Sequence, residues 1–115
     1  MNLHGRPTTA ELASAVQEFL RDEIMPALDG RLRFHTLVAA NVLAIIEREL
    51  TLGPDQQAEH EARLAEFDVS DDVKLAAAIR SGALDGRSAE VVEALWESVV
   101  AKVTVANPKY LATPA

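Results

Sequence analysis

GRLRFHTLVAANVLAIIERELTL, residues 30–52, is the stretch on which the reading of the whole chain turns. Leu32, Phe34, Leu37, Val38, Val42, Leu43, Ile45, Ile46, Leu50 and Leu52 recur with helical spacing and spread almost all the way round the wheel. A helix that is apolar on most sides is covered by neighbours on most sides. The pattern therefore predicts a buried central helix from about 30 to 52. Its most apolar run, 37–46, is about half the length that a membrane-spanning helix needs, which marks it as a core element. Gly53 offers a C-terminal stop and Pro54 a first helical position for the next element.

On the N-terminal side, a helix is expected from about 9 to 24. Thr8 and Glu11 have the spacing of a capping box, and Leu12, Val16, Phe19 and Leu20 form its inward stripe. On the C-terminal side, a polar third helix is expected from about 54 to 67, with His60, Leu64 and Phe67 on one face. A short fourth helix starts after Ser70 as N-cap and ends near Gly82, turning Val73, Leu75 and Ile79 inward. The fifth, about 89 to 106, has Val92, Leu95, Trp96, Val99 and Val103 as its inward stripe and Glu90, Glu93 and Glu97 on its wet face. Asn107-Pro108 ends it, since the residue before proline is pushed out of the α region. No segment alternates as a half-buried strand does. The fold expected is an all-α, compact single-domain bundle of about five helices over residues 1–115, with a buried second helix and with 1–7 and 112–115 frayed.

Composition agrees with closely packed helices: 49% of residues are hydrophobic but only 4% aromatic, so a core must come from small and aliphatic side chains. At this length, folding hides enough surface for one core. There is no Cys, hence no disulfide, thiolate metal site or cysteine nucleophile. The opening residues lack the apolar segment of a signal peptide, and a reducing cytoplasm is the expected address. The net charge of −7 repels phosphate backbones and anionic headgroups, so neither nucleic acid nor a membrane surface is expected as a partner.

Motifs for chemistry are broken or missing. His60-Glu61 opens like a zinc H-E-x-x-H, but Leu64 occupies the second ligand position, and no metal site is expected. The glycines Gly5, Gly30, Gly53, Gly82 and Gly86 have no phosphate-loop spacing, and no cofactor is expected. Asp71-Asp72 reads as two acids in the first turn of a helix, where they complement its dipole. His35 and Asn41 interrupt the apolar face of the second helix and are expected as buried polar residues, hydrogen-bonded to a neighbour. Arg31 and Arg33, with Lys109 and Tyr110 near the C-terminus, are the candidate partner-binding residues. An arginine or an aromatic outside a core stripe suits an interface.

One resemblance adds to this reading. The run from Gly30-Arg31-Leu32-Arg33-Phe34-His35 through Val38-Ala39-Ala40-Asn41 to Glu47-Arg48-Glu49-Leu50 resembles a family of small bacterial helical proteins catalogued as a domain of unknown function. Ile79-Arg80-Ser81-Gly82-Ala83-Leu84-Asp85, Val105-Ala106-Asn107-Pro108-Lys109-Tyr110-Leu111, Arg6-Pro7-Thr8 and Pro26-Ala27-Leu28-Asp29 fit it as well. Such proteins are encoded beside an aminoglycoside-phosphotransferase-like kinase and an acyl-CoA dehydrogenase. The resemblance implies an accessory subunit, not itself an enzyme, for a kinase acting on hydroxyacyl-CoA in hydroxy-acid catabolism. Two other readings stand beside it: a helical acyl-CoA-binding protein, with Arg31, Arg33, Lys109 and Tyr110 on the CoA moiety, and a stand-alone enzyme using His35 as base. A homo-oligomer is compatible with each.

Overall fold

The computed structural model describes residues 3–112; of the ends expected to fray, 1–7 and 112–115, residues 1–2 and 113–115 lie outside the described residues. Every described element is helical. In order they are α1 (Thr9–Phe19), a π turn (Leu20–Ile24), a 3-10 turn (Met25–Ala27), α2 (Gly30–Ala65), α3 (Asp72–Arg80), a 3-10 turn (Asp85–Arg87), α4 (Ser88–Ala106) and α5 (Pro108–Ala112). The all-α expectation holds.

The chain divides at the Gly53–Pro54 junction into two units, Met1–Gly53 and Pro54–Ala115. The backbone passes through this junction as helix, so the expected break into two helices is corrected: α2 is one element of 36 residues with Pro54 inside it. Proline has no N–H, so the Leu50 carbonyl lacks its usual donor. The helix survives because each half is held by contacts of its own unit.

In the N-terminal unit, α1 opens with the expected capping box. The Glu11 N–H donates to Thr8 Oγ1 at 3.1 Å and the Thr8 N–H donates to Glu11 Oε1 at 2.9 Å. Pro26, which again lacks an N–H, falls in the 3-10 turn that closes this arm. The last residues of the expected first helix wind as a π turn, closed by the Met25 N–H on the Leu20 carbonyl. Polar side chains tie this arm to α2. Arg21 donates to Asn41 Oδ1 at 2.7 Å, and Arg33 reaches the Met25 carbonyl at 3.4 Å. With its amide oriented to satisfy both neighbours, Gln17 donates to Glu47 at 3.2 Å and accepts from Arg21 Nε at 3.1 Å.

The burial of this unit departs from expectation. Its buried apolar side chains are Ala13 and Ala40, while Leu32, Phe34, Val38, Val42, Ile46 and Leu50 are exposed on α2 and Leu12, Val16 and Phe19 on α1. The second helix is therefore not enclosed by the chain on all sides. Only the side that meets Gln17, Arg21 and the 3-10 turn is covered. His35 and Asn41 are likewise exposed, which corrects their reading as buried polar residues. Asn41 is satisfied by Arg21 from outside a core, and the His35 ring lies edge-on to Phe34 at 5.7 Å.

The C-terminal unit has a conventional core of Leu64, Phe67, Leu75, Leu84 and Val91, with Val69, Ala78 and Ala94 packed against it. Two helix ends build it. At the end of α2, Asp68 takes φ 58°, while the Val69 N–H reaches the Leu64 carbonyl and the Asp68 N–H the Ala65 carbonyl. This is a Schellman motif, and Val69 against Leu64 is its usual hydrophobic contact. At the end of α3, Gly82 takes φ 84° and the same pair of bonds runs from Ala83 to Ala78 and from Gly82 to Ile79. Arg87 latches the corner, donating to the Glu66 carbonyl at 3.0 Å with its guanidinium 4.8 Å from the centre of the Phe67 ring. The N-cap of α3 is Asp71, not Ser70: its carboxylate accepts from the Lys74 N–H at 2.8 Å. Ser70 instead accepts from Lys74 Nζ.

Candidate functional site

The densest polar constellation lies in the C-terminal unit, where α2, α3 and α4 meet. His60, near the end of α2, bridges the other two helices. Its Nδ1 is 3.1 Å from Ser98 Oγ on α4 and its Nε2 is 2.9 Å from Asp72 Oδ1 in the first turn of α3. One turn on, Arg63 donates from Nε to the same Ser98 oxygen at 3.3 Å, with Glu97 at 4.0 Å from its Nη1. One turn earlier, Gln56 donates to the Ala101 carbonyl at 2.9 Å. Beneath the polar rim is a cavity of about 50 Å³, floored by Leu64, Phe67, Leu75, Ala94 and Leu95.

Hydrogen-bond bookkeeping fixes the roles for a neutral ring. The Asp72 carboxylate only accepts, so Nε2 carries the proton, Nδ1 accepts from the Ser98 hydroxyl, and Ser98 accepts from Arg63. These are the residue types of a nucleophilic triad, but the setting lacks the rest of that machinery. Ser98 sits mid-helix on α4, where backbone N–H groups are spent on the helix, so no pair of free N–H donors faces it as an oxyanion hole would require. The cavity has room for a few water molecules. What the arrangement does is clasp three helices together. Among the described residues, no group of three or more His, Asp or Glu side chains could hold a metal ion.

The residues singled out from sequence lie elsewhere. Arg31 and Arg33 stand exposed in the first turn of α2 in the N-terminal unit, and Arg33 is engaged with Met25. Lys109 and Tyr110 stand exposed on α5 in the C-terminal unit. The structure thus places two candidates on each unit. Sequence reading missed the His60 clasp, whose signal was a small-residue face on α4, Val91, Ala94, Ser98 and Ala101, at the spacing of a packed stripe.

That face also corrects the orientation of α4. Val91 and Ala94 turn into the core, whereas Val92, Trp96 and Val99 of the larger apolar stripe point outward, with Trp96 63% exposed. On α5, Tyr110 is 71% exposed and Leu111 is exposed beside it.

Residues 26–110 match the family described as a domain of unknown function, DUF6285. The chain belongs to this family. The match covers α2, α3 and α4 entirely, so the clasp and the outward stripe both lie within the family's domain. No curated protein and no solved structure gives a significant match. No helix of the described residues is long and apolar enough to cross a membrane.

Proposed function

We propose that this chain is a non-catalytic binding subunit that docks on a partner protein through the outward stripe of α4 together with α5. The observation supporting this is the direction of α4. A helix of a self-sufficient fold turns its larger apolar stripe inward; here the small face packs, and Val92, Trp96 and Val99 remain in water. Aromatic side chains dominate interface energetics when a partner desolvates them, and Trp96 and Tyr110 are of that kind. The family resemblance supplies the partner: an aminoglycoside-phosphotransferase-like kinase acting on hydroxyacyl-CoA, in a pathway with an acyl-CoA dehydrogenase. In this reading the subunit completes or stabilises the kinase, and both proteins work in the cytoplasm.

Co-expression with a kinase of that class from the same genome, followed by size-exclusion chromatography, tests it. The two should co-elute, and Trp96→Ala or Tyr110→Ala should abolish co-elution while leaving the melting temperature unchanged. Separate elution of the wild-type proteins, or variants that bind as the wild type does, would remove the reading.

A further inference from the structure

The N-terminal unit has an unpartnered surface of a different kind, and its pattern specifies what covers it. On α2, Arg31, His35, Val38, Val42, Ile45 and Glu49 follow one another at spacings of four, three, four, three and four residues. That is the 3.5-residue repeat of a coiled-coil seam. Arg31 and Glu49 are eighteen residues apart, five full turns, so they lie on one line along the helix, roughly 27 Å from each other. Ala40, 1% exposed, falls on the opposite side of the wheel, as do Arg33, Ala44 and Glu47 on the side that meets the α1 arm. The seam therefore faces away from the described elements that cover α2 within this unit. Val38 and Val42 at its centre are exposed, and Phe34 and Ile46 flank it, also exposed.

The charges at the two ends decide the occupant. Arg31 and Glu49 are exposed, and among the described residues neither side chain has a hydrogen bond or an ion pair. The seam reads the same in both directions about residue 40. Reversed, Arg31 meets Glu49, His35 meets Ile45, and Val38 meets Val42. We infer that a second copy of this chain docks here, its α2 antiparallel to the first. Each end is then closed by an Arg31–Glu49 pair and the centre by the valines. A parallel pairing would stack Arg31 on Arg31 and Glu49 on Glu49, which is repulsive at both ends. Residues 30–53 carry three arginines against two glutamates, in a chain of net charge −7. This is a stretch on which two copies approach without the repulsion that their totals would impose.

The dimer is independent of any kinase, and its test uses the purified chain alone. Sedimentation equilibrium should return the mass of two chains. Arg31→Glu and Glu49→Arg should each weaken self-association by about tenfold or more, as like charges meet across the seam. The combined variant R31E/E49R should recover it, because the pair re-forms with its signs exchanged. Val42→Asp should give a monomer of unchanged helicity. A wild-type chain that sediments as a monomer at all concentrations overturns the proposal, including one that gains mass only when a different protein is added. So does a combined variant no better than the single ones.

Discussion

Glu11 illustrates how much a single side chain does at the entry to α1. Its carboxylate accepts from Arg6 and from the Thr8 N–H, and these bonds hold it from the ordinary 4.5 down to about 2, the Arg6 hydrogen bond being the larger cause. In the unfolded chain the group protonates near 4.5, so its contribution is present in full above that pH and is lost as pH falls toward 2. NMR titration of the Glu11 side chain should show this depressed midpoint, and Arg6→Ala should return it toward the usual carboxylate range. His60 acts at the same scale in the other unit. Its ring joins Asp72 to Ser98, so His60→Ala should lower unfolding free energy by about 1–3 kcal/mol through the hydrogen bonds lost, measured by urea denaturation. The His60 clasp escaped sequence reading because its members are 12 and 38 residues apart in the chain and Ser98 looks like any small helical residue. His35 and Asn41 misled for the converse reason. A polar residue in an apolar run signals a satisfied core group only if something covers the run, and coverage is a property of the neighbours.

Helix ends were the most legible elements, because caps are local. The Thr8–Glu11 box, the stop at Gly82 and the stop at Asn107 are all written within four residues of where they act. The Gly53-Pro54 pair was misleading for a local reason too. It carries the vocabulary of a terminus, but a single missing donor does not end a helix whose two halves are each held by separate contacts. The end of α2 at Asp68 shows the opposite case, a left-handed position filled by a residue other than glycine. An L-residue pays about 1 kcal/mol or more for that conformation, so Asp68→Gly should stabilise the chain by an amount of that order, read as a rise in melting temperature. If the melting temperature falls instead, the Asp68 side chain contributes more than its backbone costs. The inward face of α4 could not be read from the larger apolar stripe. A stripe meant for a partner and a stripe meant for a core have the same periodicity, and only the smaller face of Val91, Ala94, Ser98 and Ala101 distinguished them.

At the scale of the whole molecule, the α2 seam and the α4 stripe are two apolar surfaces left exposed, one in each unit, and they differ in character. The α2 seam is bounded by opposite charges that match their own reverse, whereas the α4 stripe is built around one large aromatic side chain with no such symmetry. Two surfaces of that kind suit two different occupants, a second copy on the first and an unlike protein on the second. Trp96 is the only tryptophan of the chain and sits in the middle of the α4 stripe, 47 residues along the sequence from Glu49, the last residue of the seam. The free protein should therefore emit with the long-wavelength maximum of a hydrated indole, be readily quenched by iodide or acrylamide, and keep both properties through self-association. Docking on α4 should shift the emission to the blue and shield it from the quencher. The protein carries its own optical probe for one of the two proposed contacts, and the same cuvette distinguishes them without any label.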